Sequence, residues 1–185
     1  MAEVKFDANS RVSLSNADAG TSNTVIGKLA GDAIGSGDNY NVFIGENVAD
    51  ANMTNATNNV GVGYQSLSAL TTGDNCTAVG FESLKANEDG HENDAFGAYS
   101  LTANVDGLNN VAMGTSALAA NTDGSSNTAI GRAAMESSGS PEQNVAVGHR
   151  ALANCDTGTG NVAIGYQAMD AVDDDESNNI AIGSG

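Results

Sequence analysis

Short strands of alternating side-chain size recur along the chain at a nearly constant interval. A five-residue segment occurs ten times, and successive copies begin 17 or 18 residues apart. The copies occupy residues 23–27, 41–45, 59–63, 76–80, 93–97, 110–114, 127–131, 144–148, 161–165 and 179–183. Their second and fourth residues are mostly β-branched or large, and the third is usually Ala. This period of two predicts a β-strand whose two faces differ.

Each copy begins and ends on a characteristic residue. All copies but the fourth, which has Cys76, begin with an asparagine: Asn23, Asn41, Asn59, Asn93, Asn110, Asn127, Asn144, Asn161 and Asn179. Every copy closes on a glycine: Gly27, Gly45, Gly63, Gly80, Gly97, Gly114, Gly131, Gly148, Gly165 and Gly183. We expect the Asn column to form a ladder of amides at a corner, where Asn tolerates left-handed backbone. The Gly column is expected to supply positive φ or close backbone approach.

A second column of apolar residues lies eight positions after the first residue of most copies. It contains Leu67, Leu84, Leu101, Leu118, Met135, Leu152 and Met169. A later glycine marks the turn into the next copy: Gly73, Gly90, Gly107, Gly124 and Gly158. Seventeen residues are too few for a helical hairpin or a propeller blade. The sequence therefore predicts an all-β fold, a parallel β-solenoid of about ten coils with strands about 4.8 Å apart.

The alternation also suggests which strand face is internal. We expect the Val/Ile positions and the Leu/Met column to fill the coil, and the Ala positions to form an outer stripe that another backbone can approach. Three large apolar side chains per coil contribute about 1.5–3 kcal/mol each. Ordering the backbone costs about 1–2 kcal/mol per residue. A single filament is therefore marginal, which predicts an oligomer that associates through the Ala face.

The two ends of the sequence differ from the repeat. Residues 1–22 fall outside the register, although Val4 and Phe6, and then Val12 and Leu14, alternate as in strands. We interpret this segment as a cap or an attachment piece. The tandem-repeat solenoid covers 23–185 and is expected to be open at its C-terminal end.

Charge and composition narrow the functional classes. The formal net charge is −17, from 23 acidic and 6 basic residues, which argues against binding to nucleic acid or to an anionic membrane surface. Trp is absent and aromatic residues make up 4%, which indicates a thin core. We find no signal peptide and no apolar run near the ~18 residues of a membrane span. Synthesis in the cytoplasm without membrane insertion is expected.

The solenoid model separates the residues that carry most chemistry. Cys76 and Cys155 lie four coils apart, about 19 Å, whereas a disulfide needs Cα atoms within about 7 Å. We expect free thiols. His91 and His149 are also about four coils apart, so they cannot share one metal or one catalytic centre.

Acidic and aromatic residues give only weak site candidates. The densest acidic run, Asp173, Asp174, Asp175 and Glu176, has no known calcium-loop spacing, so a solvated turn is preferred to a cation site. The same interpretation applies to Glu88, Asp89, Glu92 and Asp94. Asp106 and Asp123 occupy equivalent positions in adjacent coils, which the repeat explains without glycan cleavage. Tyr64, Phe81, Tyr99 and Tyr166 could contact sugars, but packing over a corner is preferred. We expect no enzymatic activity, cofactor or metal.

The repeat resembles known fibre and adhesin sequences over about residues 23–185. Segments such as 127–131 and 161–168 are similar to the head repeats of trimeric autotransporter adhesins and, in their length, to repeats of bacteriophage tail fibres. The resemblance implies a left-handed parallel β-roll, a parallel homotrimer and a role in surface attachment. The missing signal peptide and membrane anchor favour the virion fibre.

These observations give three functional hypotheses. The first is a structural and adhesive segment of a virion tail fibre that contacts other fibre or tail proteins and a glycan or protein receptor on the host. The second is a secreted trimeric adhesin head on a bacterial surface. The third is an ice-binding solenoid, which requires a regular array of exposed Thr. Thr24, Thr77 and Thr128 are scattered within a column assigned to the interior, which argues against it.

Overall fold

The described part of the chain is built from short stacked strands. A computed structural model describes residues 22–170 and 176–185 and the backbone of Val12–Ser13. Its strands are β1 Val12–Ser13, β2 Thr24–Ile26, β3 Val42–Ile44, β4 Val60–Val62, β5 Thr77–Val79, β6 Asp94–Phe96, β7 Val111–Met113, β8 Thr128–Ile130, β9 Val145–Val147, β10 Val162–Ile164 and β11 Ile180–Ile182. The predicted all-β class is confirmed for these residues, which contain no helix.

Strands β2 to β11 form one parallel sheet in chain order. Equivalent residues lie opposite one another, as Ala112 does with Ala129. Other sides of the coil are bonded in the same way: the N–H of Leu118 donates to the carbonyl of Ala134 over 2.9 Å. The N–H of Ser116 donates in the opposite direction, to Ala98, also over 2.9 Å. Each coil therefore stacks in register on the next, and the predicted solenoid with one coil per repeat is confirmed.

Strand β1 lies at the N-terminal edge of this sheet. It pairs antiparallel with β2, with Val12 opposite Ile26 and Ser13 opposite Val25. Val4, Phe6 and Leu14, which also alternate in the sequence, lie outside the described residues. Because the antiparallel pair occupies an edge that a parallel coil would otherwise use, it is consistent with a cap, and the attachment role stays a prediction.

The predicted orientation of the strand faces is wrong. The middle strand residue points into the coil and is fully buried, as in Ala78, Ala112 and Ala146. The flanking Val, Ile and Thr residues point outward, and Ile26 and Ile130 are 39% and 38% exposed. The Leu/Met column is internal as expected, with Leu84 and Leu118 fully buried. The Ala stripe thus lines the core and cannot receive a partner chain.

The small interior of a coil explains this orientation. A 17-residue coil with three-residue strands encloses little volume, and the Leu column and buried Asn side chains already occupy it. Only Ala then fits beneath most strands, because cores are packed to a fixed density. Val25 and Phe43 are larger, and the coil after Phe43 compensates with Gly61: a Cβ there would lie 2.6 Å from Val48 and 3.3 Å from Phe43.

Each complete coil turns through several residues with left-handed backbone. In the coil that begins at Asn110, positive φ occurs at Asn109 (56°), Ser116 (56°) and Leu118 (54°). The residue before the repeat Asn is left-handed, and the Asn is not, which corrects the expectation for this column. Gly114 has a φ of 137°, a region that residues with a side chain rarely adopt.

Candidate functional site

The outward strand residues form one continuous apolar face, which we call the strand face. Its fourth-position column contains Ile26, Ile44, Val62, Val79, Phe96, Met113, Ile130, Val147, Ile164 and Ile182. Its second-position column contains Thr24, Val42, Val60, Thr77, Asp94, Val111, Thr128, Val145, Val162 and Ile180. Ten strands at about 4.8 Å give a face about 43 Å long. A chain with a net charge of −17 therefore has a long apolar stripe with one charged residue.

The charged residue of the strand face is Asp94, and its position differs from the predicted one. Asp94 was interpreted as part of a solvated turn with Glu88, Asp89 and Glu92, and these three are exposed. Asp94 instead begins strand β6 and lies on the strand face between Thr77 and Val111. It is half-buried already in the single chain.

The same face holds the threonines considered for ice binding. Thr24, Thr77 and Thr128 point outward, so the interior position assigned to them is wrong. They are three of the ten residues in their column, and Val and Asp residues separate them.

The Asn column fastens each coil to the next. The Asn127 side-chain amide donates to the carbonyl of Pro141 over 2.8 Å, which closes its own coil. Its carbonyl oxygen accepts the N–H of Asn144 over 3.1 Å, which joins the following coil. The amide also lies 3.0 Å from the oxygen of Asn110, so the side chains form a ladder. The buried Asn residues thus satisfy backbone groups that water cannot reach.

Cys76 replaces Asn in this column and keeps only part of its role. Its thiol donates to the carbonyl of Gly90 over 3.2 Å, as the Asn amide does elsewhere. Burial raises the pKa of Cys76 to about 11, and hydrogen bonding from the Asn93 backbone opposes that rise. Cys155 is a buried thiol in the coil four turns further on. Because the reactive species is the thiolate, the raised pKa marks Cys76 as a structural thiol.

A second ladder of buried asparagines, absent from the sequence-based prediction, lies beside the Asn column. Asn104 donates to the side-chain oxygen of Asn87, and Asn121 donates to that of Asn104, each over 2.7 Å. The ladder stops where Ser138 occupies the next position. The side-chain oxygens of Asn121 and Ser138 are both buried without a hydrogen-bond partner. The 17-residue spacing of the three asparagines is visible in the sequence and could have revealed this ladder.

Replacing Ser138 with asparagine is expected to destabilise the protein, although the new amide could donate to the free oxygen of Asn121. In the preceding coils the residue three positions after the ladder Asn is Gly, and a Cβ at Gly124 would overlap the side-chain oxygen of Asn121. Pro141 carries that Cβ, so an asparagine at 138 is overpacked, which costs about 1–3 kcal/mol. The measurement is the urea midpoint of S138N against wild type, with S137N at the neighbouring exposed position as control. A raised midpoint for S138N would contradict the role of Pro141 in ending the ladder.

Aromatic side chains form a stack along the ridge that follows the repeat Gly. The rings of Tyr64 and Phe81 are stacked with centroids 5.4 Å apart, and Tyr99 meets Phe81 edge-on at 5.2 Å. Although each is about 40% exposed, the rings cover one another. This arrangement favours packing over the corner. The charges near this stack are paired: Glu46 with Lys28 and Glu82 with Lys85.

Further along, the same ridge is basic. The Arg132 guanidinium nitrogen Nη1 lies 2.9 Å from His149 Nε2. The imidazole of His149 stacks on Tyr166 with centroids 5.5 Å apart. Arg150 follows His149, and its N–H donates to the Arg132 carbonyl over 3.1 Å. We call Arg132, His149, Arg150 and Tyr166 the basic ridge.

The acidic candidates form no metal cluster among the described residues. Asp173, Asp174 and Asp175 lie outside those residues, and Glu176 is exposed. Elsewhere the loop carboxylates bind hydroxyls of adjacent turns. Hydrogen bonds from Ser140 and then Thr122 hold the pKa of Asp123 below its usual value.

The remaining candidates also lie apart or lack reactive groups. His91 Nδ1 lies 3.9 Å from Asp74, four coils from His149. An open pocket of about 240 Å³ beside the last strand is lined by Met169, Ile182 and small neighbours, without a titratable group.

Together these features define a parallel β-solenoid of tandem coils with one apolar outer face. Comparison with protein-family models, curated proteins and solved structures finds no match. Among the described residues no helix has the length and apolar character needed to cross a membrane.

Proposed function

We propose that this chain is a structural and adhesive fibre segment that assembles as a parallel homotrimer in a virion tail fibre. One observation supports this most: the strand face is apolar, continuous and open in the single chain. Contiguous exposed apolar surface of this extent marks an interaction site. The interior holds mainly Ala and Leu, so burial within one chain contributes even less than the sequence suggests, and association supplies the rest.

The occupant of the strand face that fits best is a second copy of the same chain. In a trimer with cyclic symmetry, the strand face of each copy would point toward the common axis, so all three strand faces would be buried. Parallel copies present identical residues at each level, so Val meets Val and Ile meets Ile, except where Asp94 brings three carboxyl groups to one level. The resemblance of the repeat to trimeric autotransporter heads and tail fibres supports three copies, with the left-handed coil that it implies.

An aspartate in the fourth-position column of the strand face, which holds no charged residue, is expected to separate the copies. Ile130→Asp leaves the isolated coil intact, because this side chain already points to solvent, but it would bury one carboxylate per chain in the interface. Light scattering of the wild type should give three times the 18.5 kDa of one chain, and I130D should give the monomer mass.

The matched control for this experiment is Thr115→Asp. Thr115 is exposed and lies on the ridge after the repeat Gly, beside the strand face but not in it. This variant carries the same added charge and should keep the wild-type mass. A monomeric wild type, or equal dissociation of both variants, would overturn the trimer.

A bacterial adhesin head and an ice-binding solenoid remain the alternative functions. The outward position of Thr24, Thr77 and Thr128 is the one observation that favours ice binding. A thermal-hysteresis measurement separates it from the fibre, which should show none.

A further inference from the structure

The basic ridge is the one place where the described chain leaves its positive charges without a carboxylate. Lys28 pairs with Glu46 at 3.0 Å, and Lys85 pairs with Glu82 at 3.1 Å. His91 lies beside Asp74. Arg132, His149 and Arg150 form no ion pair with any described carboxylate, although the sequence contains 23 acidic residues. Arg132 and Arg150 therefore lie on adjacent coils, joined by a backbone hydrogen bond of 3.1 Å, and neither guanidinium is paired with a described carboxylate.

The geometry assigns distinct roles within this cluster. His149 Nε2 is occupied by Arg132, and its Nδ1 is buried, so the imidazole serves as a spacer between Arg132 and Tyr166. The guanidinium groups of Arg132 and Arg150 retain donors that can bind an oxyanion in a forked geometry. Tyr166 is 55% exposed, the most of the ridge aromatics described.

One ring face of Tyr166 is free for a ligand. His149 covers the other face, and the equivalent position of the next coil holds Ser184, which is too small to cover the ring. The aromatic stack of Tyr64, Phe81 and Tyr99 differs from the basic ridge in its charge, because the nearby Lys28 and Lys85 are paired with Glu46 and Glu82. Its central ring, Phe81, also contacts a ring on each side. An open aromatic face accepts the apolar face of a sugar ring.

We propose that the basic ridge binds an acidic saccharide, a sugar that carries a carboxylate. The carboxylate binds Arg132 and Arg150, and the sugar ring packs on Tyr166. This inference rests on the adhesive part of the proposed function and names its ligand class. In a trimer the ridge occurs three times at one level of the fibre, so weak individual sites would combine into firm attachment.

The test uses the full chain and tetragalacturonic acid, with its methyl ester as the uncharged counterpart. Calorimetry and saturation-transfer NMR should show binding of the acid in the millimolar range and at least about tenfold weaker binding of the ester. R132Q/R150Q should abolish binding and Y166A should weaken it. The matched controls K28Q/K85Q, which also removes two positive charges, and Y64A should bind as the wild type does.

Several outcomes would overturn the proposal. These are no binding of the acid at millimolar concentration, equal binding of acid and ester, or equal loss in K28Q/K85Q. Displacement by inorganic phosphate or by an oligoglutamate peptide at the same concentration would show a general anion site. The mass of each sample is measured in parallel. A monomer that binds the saccharide overturns the trimer alone, and a trimer that does not bind overturns the ridge alone.

Discussion

Gly114→Ala is expected to lower the free energy of unfolding by about 2–6 kcal/mol, the sum of backbone strain and steric overlap. The φ of Gly114 is 137°, and a Cβ there would lie 2.5 Å from the carbonyl oxygen of Gly131. The backbone has little freedom to move away. The N–H groups of Gly114 and Gly131 donate to Phe96 and Met113 over 2.8 and 2.7 Å.

The last glycine of the column separates the two contributions. Gly183 has a similar φ of 143°, but a Cβ there would meet no atom within 4 Å. G183A should therefore lose only the strain part, about 1–3 kcal/mol. Urea unfolding followed by circular dichroism at one fixed protein concentration measures both variants. Equal losses would show that close coil-to-coil contact at Gly114 contributes nothing.

Asn127→Leu is expected to cost a similar amount, about 2–6 kcal/mol, although it adds apolar volume to a buried site. The substitution removes the donor to Pro141 and the acceptor for the N–H of Asn144. Each buried backbone group left without a partner costs about 1–3 kcal/mol. Because stability in a solenoid depends on contacts between neighbouring coils, the loss should lower the melting temperature of the whole stack.

Two further variants make this prediction specific. Asn127→Asp keeps an oxygen toward Asn144 but loses the donor to Pro141 and places a buried carboxyl group against two oxygens, so it should cost at least as much as N127L. Asn179→Leu changes the same column where the side chain makes no hydrogen bond among the described residues, and it should be nearly neutral. A neutral N127L would show that the Asn column does not hold the coils together.

The repeat made the solenoid architecture predictable, but it did not show which face of each strand points into the coil. A 17-residue period with one short strand per copy leaves little besides a stacked coil, and Gly closes every strand at the corner. Alternation, however, shows only which residues share a face, and it does not say which face is internal. The available volume decides that, and the sequence of one strand does not contain it. One sequence feature did indicate the internal face. Phe43 and Gly61 occupy the middle position of successive strands, and a large residue followed by the smallest one indicates that this position is packed in the interior.

The candidate surfaces were predictable to different degrees. The Asn column was evident, but its partners, such as the Pro141 carbonyl, depend on how the coil closes. Ladders that begin and end within the chain, such as Asn87 to Asn121, are weaker signals than a column present in every copy. The basic ridge could not be read from spacing, because Arg132 and Arg150 occupy different positions of their repeats. Only the folded coil brings them side by side around His149.

The equal register of successive coils has a consequence for how such a protein can change its length. Except at Cys76, the asparagine of each level accepts the same backbone N–H from the next level. Removing one complete unit, such as 110–126, would therefore place Asn127 on Asn93 with the hydrogen bond of the Asn column reproduced. Gain or loss of whole units by recombination would then alter reach in steps of about 4.8 Å without any new packing solution. The length of the solenoid can therefore change by whole coils, because the coils are structurally equivalent.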